Sequence, residues 1–212
     1  MLQYLRRNIR YARPENWSRA AKVLKRKITR SGILDDPADI GMANMLPAKK
    51  LDKLLELFAP ATLLDVGCGA AASLKYVRGK GVDALGIEAS AAAIRASGAS
   101  EFIRRHDLRK PLDLHRTFDV VWSFEVAEHL HARHADQFVD ALARHGDLVV
   151  MSAAPPGQGG EGHLNEQPPS YWIEKFRNRG MALHEEWTEE FRSVPEFYSE
   201  NMMVFVADGQ SA

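Results

Sequence analysis

The chain has 212 residues, 45% hydrophobic and 26% charged, with equal numbers of formal positive and negative charges. That length and composition suit one soluble globular domain with some decoration, whose core needs neither disulfides nor a structural metal. The single cysteine, Cys68, excludes an internal disulfide, and no apolar run approaches the ~18 residues of a membrane span. With no signal-like N-terminus either, a cytoplasmic location is expected.

Residues 1–30 carry ten Lys or Arg and one acid, Glu15, so the remainder is acidic overall. The segment reads as one or two short helices broken near Arg13-Pro14, with Trp17, Ala20, Ala21, Val23, Leu24 and Ile28 at roughly helical spacing. It is either a solvated helical face or a basic arm able to approach phosphates, anionic lipid or an acidic partner. Residues 31–46 read as a connector, with turn signals at Asp35-Asp36-Pro37 and Gly41. The expected division is therefore a basic helical extension and connector over 1–46 and one domain over 47–212.

From Pro47 the pattern becomes regular. Leu51, Leu54, Leu55, Leu57 and Phe58 suit an amphipathic helix stopped by Pro60. Thr62–Val66 is an apolar strand ending in Gly67-Cys68-Gly69, and Ala70–Val77 a helix. Val82–Ile87, Phe102-Ile103, Phe118–Phe124 and Leu148–Ser152 read as further strands. Helices are expected over Ala89–Ala96 and Glu128–Arg144. Ala154–Pro169 is an irregular Gly- and Pro-rich loop, Ser170–Arg179 a helix, and Asn201–Val206 a last strand expected to pair antiparallel. Alternating helices and near-continuous apolar strands predict an α/β fold: a mostly parallel sheet with helices on both faces.

The strongest local signal is Leu63-Leu64-Asp65-Val66-Gly67-Cys68-Gly69-Ala70-Ala71. A strand feeds a tight glycine turn where a ligand can approach the main chain, beyond the carboxyl end of the strand. Glu88 ends the next strand, about twenty residues on, a spacing that suits a carboxylate receiving a ribose diol. Alone, this pattern also fits dinucleotide enzymes.

Asp65-Val66-Gly67-Cys68-Gly69, Gly86-Ile87-Glu88, His106-Asp107-Leu108 and Phe118-Asp119-Val120-Val121 together resemble the ordered motifs of class I S-adenosylmethionine-dependent methyltransferases. The resemblance implies a Rossmann-like, seven-stranded fold and S-adenosylmethionine as cofactor. It further implies that Gly67, Cys68 and Gly69 border the methionyl part and that Asp65 faces its amino end. Glu88 would hold the ribose, Asp107 would accept from the adenine amino group, and Leu108 would lie against the ring. One departure is Ala71, where a third glycine is common.

Glu125-Val126-Ala127-Glu128-His129 follows the fourth strand. On a helix, positions i, i+3 and i+4 share a face, so Glu125, Glu128 and His129 would point together, with His163 of the later loop closing the set. This arrangement resembles small-RNA 2′-O-methyltransferases and, in part, ubiquinone-pathway O-methyltransferases, in which matching residues bind magnesium or a similar ion. The implied metal set is Glu125, Glu128, His129 and His163 around Mg²⁺ or Mn²⁺, engaging an acceptor diol. The other reading needs no metal: His129, His163 or Glu128 handles the proton of an acceptor hydroxyl.

The loop from Pro155 to Pro168 is expected to be an acceptor lid, with Gln158, His163, Asn165, Glu166 and Gln167 suited to a hydroxyl-rich ligand. Tyr171 and Trp172 are read first as core, with stacking on a sugar or base as the other reading. The expected activity is O-methylation of a saccharide, glycolipid or related polyhydroxylated molecule. An RNA 2′-O-methyltransferase is the nearest alternative, although no RNA-binding module is recognised. An NAD(P)-dependent oxidoreductase and a non-catalytic cofactor-binding module are the readings from other classes.

Overall fold

The computed structural model of the protein describes residues 45–209. The basic segment of residues 1–30 and most of the connector lie outside the described residues. Helix α1 (Ala48–Phe58) buries Leu51 and Leu54. It ends at Ala59, whose left-handed φ of 40° is followed by Pro60. The other elements are β1 (Thr62–Val66), α2 (Ala72–Gly79), β2 (Asp83–Glu88), α3 (Ala91–Ser97), β3 (Ile103–Arg105), β4 (Val120–Ser123), α4 (Ala135–Ala143), β5 (Leu148–Ser152), α5 (Pro169–Arg177), β6 (Met181–Leu183), α6 (Glu185–Arg192) and β7 (Met202–Ala207).

These strands form one seven-stranded sheet in the order β3-β2-β1-β4-β5-β7-β6. The pairs from β3 to β5 are parallel, and β7 runs antiparallel to both β5 and β6. The order reverses between β1 and β4, which opens a ligand crevice at their carboxyl ends. Successive strand residues face opposite layers. Leu63, Val120 and Trp122 pack with Leu51, Leu54, Leu74 and Phe191 on one face. Leu64 and Val121 pack with Phe138, Leu142, Trp172 and Phe176 on the other. The expected Rossmann-like fold, with helices on both faces and an antiparallel last strand, is the fold found.

Two expectations need correction. The helix predicted from Glu128 begins only at Ala135. Two short 3₁₀ turns, Ala127–His129 and Ala132–His134, precede it. Between them Leu130 (ψ 137°) and His131 (ψ 143°) are extended, which no continuous helix allows. Strand β6 and helix α6 were not anticipated. In α6 only Trp187 and Phe191 offer apolar contact among charged neighbours. Among the described residues, no helix is long and apolar enough to cross a membrane.

Candidate active site

The glycine turn after β1 is built by backbone rules. Gly67 and Gly69 take φ values of 82° and 55°, a region that side chains resist. The N–H groups of Gly67 and Cys68 donate to the Ile87 carbonyl at 2.8 and 3.1 Å, which ties the turn to β2. Glu88 receives the Gly69 N–H at 2.9 Å and the Ser90 N–H at 2.7 Å, so its carboxylate is fixed beside the turn. Ala71 also has a left-handed φ, 65°, and is fully buried. The missing third glycine is thus a strained alanine rather than a residue crowding a ligand.

One pocket runs along the carboxyl ends of β1, β2 and β4. Asp65, Gly67, Cys68, Gly69, Glu88, Asp107 and Leu108 line one end, and Glu125, Glu128, His129 and His163 the other. Cys68 is buried, and its Sγ packs so tightly that a Cβ on Gly86 would come within 2.6 Å of it. Burial, with the nearby acids, raises its thiol pKa far above the usual range, which removes it as a nucleophile. Asp65 is 3% exposed with Oδ2 unpartnered among the described residues. Burial, and then the Glu88 charge, push its pKa up to about 8. Asp107 is differently placed: Arg109 grips it at 2.8 Å (Nε to Oδ1) and 2.7 Å (Nη2 to Oδ2), and holds its carboxyl below its ordinary range.

At the other end, Glu128 is fully buried, and neither carboxylate oxygen makes a well-aligned hydrogen bond among the described residues, although the Glu125 carboxyl and the Ala154 backbone lie close to it. Burial and the neighbouring Glu125 raise its pKa well above the ordinary value. His129 has an unpartnered Nδ1, and burial with His163 pushes its pKa down to about 4. The two imidazoles meet edge to face at 5.0 Å between centroids. One ligating atom each from Glu128, His129 and His163 lie within 4.8 Å of one another.

Glu125 stands outside that group. Its φ is 52°, and its N–H donates to Ser152 Oγ at 2.9 Å. Its carboxylate receives Gln158 Nε2 and Asn201 Nδ2, both at 3.0 Å. The helix expected to put Glu125, Glu128 and His129 on one face is absent, although Glu125 still lies beside Glu128 in the pocket. Glu125 instead joins the loop over 155–168 to the start of β7. That loop is also pinned from below, since Leu164 and Asn165 N–H donate to the Glu128 carbonyl at 2.7 and 3.0 Å.

A family model described as a methyltransferase domain matches residues 42–197. The chain belongs to this methyltransferase family. No curated protein matches the methyltransferase in sequence. Its fold is similar to the sugar N-methyltransferase KedS8 from Streptoalloteichus (TM-score 0.64, 16% identity, 83% of this chain and 94% of that one). It is also similar to a TehB-like SAM-dependent methyltransferase from Corynebacterium glutamicum (TM-score 0.59, 20% identity, 81% and 94%). A third likeness is to CalS10, an amino pentose methyltransferase from Micromonospora echinaspora (TM-score 0.58, 17% identity, 75% and 89%). At such identities the likeness is one of fold.

Several residues of the methyltransferase pocket carried no local sequence signal. Trp122 and Phe124 stack at 5.6 Å along its wall, with Tyr198 beside them. Asn201 reaches Glu125 from 76 positions away. Only the tertiary fold brings such residues together. Trp172 is fully buried in the core and neither it nor Tyr171 lines the pocket, in line with the first reading of that pair.

Proposed function

We propose that the protein is an S-adenosylmethionine-dependent O-methyltransferase that acts on a hydroxyl of a saccharide, glycolipid or related polyol, with a divalent cation at Glu128, His129 and His163. The observation that carries this reading is the cluster itself. Two buried carboxylate oxygens and one imidazole nitrogen without partners are costly unless a ligand completes them. One carboxylate and two imidazoles suit a divalent ion, and the imidazoles favour Mn²⁺ over Mg²⁺.

Residues at the cofactor end fit S-adenosylmethionine. The unpartnered Asp65 Oδ2 is an acceptor for its ammonium group. Glu88, fixed by two backbone N–H groups, retains lone pairs for the ribose hydroxyls. Asp107 is held by the Arg109 backbone N–H, Nε and Nη2 and would accept the adenine amino group by giving up one of these contacts, and Leu108 offers an apolar wall. When bound, the sulfonium supplies an electrophilic methyl group, and the cation lowers the pKa of an acceptor hydroxyl. The chain's own task is to hold the acceptor in line and exclude water. Residues 1–46 form an appendage to a domain over 47–212 in this reading, and a cytoplasmic location goes with it.

A second reading has its own support. KedS8 and CalS10 are named for a sugar N-methylation and an amino pentose, and an amine needs no metal to become nucleophilic. Turnover of sugar and amino-sugar panels, after chelation and with Mn²⁺ restored, separates the two. Hydroxyl methylation that requires Mn²⁺ supports the first reading, and amine methylation indifferent to chelation supports the second. Absence of S-adenosylhomocysteine binding in calorimetry overturns both.

A further inference from the structure

The loop over 155–168 holds an acid that neither end of the pocket accounts for. Glu166 receives three hydrogen bonds: from Gly157 N–H at 2.9 Å on Oε2, and on Oε1 from Gly159 N–H at 2.8 Å and His163 Nδ1 at 2.9 Å. Each carboxyl oxygen thus receives a backbone N–H, the setting of a carboxylate. A carboxylate only accepts hydrogen bonds. Nδ1 of His163 must therefore carry the proton, and in a neutral ring the lone pair is on Nε2. Gly160 completes the arrangement, because a Cβ there would overlap the imidazole at Nε2.

We propose that Glu166 is a positioning residue for His163: anchored by two backbone N–H groups, it fixes the Nδ1–H tautomer and leaves Nε2 as the atom that ligates the cation. The proposal rests on reading the Glu128, His129 and His163 cluster as a cation site. A carboxylate behind a ligating imidazole fixes its tautomer and ring orientation and raises its basicity as a ligand. Here the carboxylate lies three residues along the same loop, so the ligand and its support move together. The His129 ring is supported instead by the Gly162 backbone.

The test begins with the metal-free protein at pH 8, labelled with ¹⁵N-histidine, and His163 assigned through His163→Ala. Long-range ¹H–¹⁵N spectra should place the wild-type proton on Nδ1. In Glu166→Ala it should move mainly to Nε2, the tautomer favoured by a free imidazole in water. Mn²⁺ affinity, read by electron paramagnetic resonance, should then fall about tenfold to a hundredfold. Glu166→Gln keeps the shape of the side chain, and its affinity should follow whichever tautomer its spectrum shows. A wild-type proton on Nε2 overturns the proposal, as does Glu166→Ala with unchanged Mn²⁺ affinity. Should Glu166→Ala fail to fold, the wild-type tautomer alone decides. A protein that binds no Mn²⁺ but shows Nδ1–H loses the cation reading and keeps the Glu166 assignment.

Discussion

Asp65 is the residue at which stability and binding oppose each other most plainly. Its folded pKa of about 8 lies above the ordinary 3.8. The folded state therefore retains a proton that the unfolded state has lost, and stability falls as pH rises from about 4 to about 8. Asp65→Asn removes that penalty. At pH 8 the variant should be more stable, by on the order of 2 kcal/mol in urea unfolding, while its S-adenosylhomocysteine affinity drops sharply. Equal stability of variant and wild type at pH 8 would refute the burial argument. Glu125 and Glu128 form a second contrast. Glu128→Ala should abolish Mn²⁺ binding, whereas Glu125→Ala, with its carboxylate already engaged by Gln158 and Asn201, should weaken it only a few fold. Equal losses in calorimetry would return Glu125 to the ligand set. The pocket position of Asp65, Gly67, Gly69 and Glu88 was legible in the sequence because a strand–turn–helix–strand unit is local. The engagement of Glu125 by Gln158 and Asn201 was not legible, because these partners lie 33 and 76 positions away.

At the scale of elements, strands were easier to read than the segments that carry the chemistry. β1 and β5 fall on their expected bounds because buried parallel strands are continuous apolar runs. The start of the helix expected over Glu128–Arg144 is not helical, because the extended Leu130 and His131 break it, and Glu125 just before it stands at φ 52°. This break has a steric counterpart in the turn after β1. A Cβ on Gly67 would lie 2.5 Å from a methyl of Val126, which enters the 3₁₀ turn holding Glu128 and His129. The glycine turn and the turn of the proposed cation site are thus in direct contact. Gly67→Ala should destabilise the fold by about 1–3 kcal/mol through overpacking and backbone strain, and should weaken Mn²⁺ binding as well as cofactor binding. Adding Val126→Ala should recover the packing part in thermal unfolding and leave the backbone part. If the double variant regains nothing, the contact is not the cause.

Across the whole molecule, both ends of the pocket hang on the β1–β4 pair, where the strand order reverses. Fold and pocket follow from that topology, but acceptor identity depends on the loop over 155–168 and on wall residues such as Tyr198, which obey no periodic rule. If the acceptor is a polyol rather than RNA, turnover should change little between low and moderate salt, because contacts to several phosphates would make it fall steeply. A steep loss would favour the RNA reading. Glu128 faces two ways in this architecture. Its carboxylate belongs to the proposed cation cluster, and its carbonyl receives Leu164 and Asn165 of the loop that carries His163. Lifting that loop withdraws one ligand and unfastens the backbone of another in the same movement. A cation held there would act as a clasp: its departure and the opening of the pocket to a new acceptor would be a single event, with one shared rate.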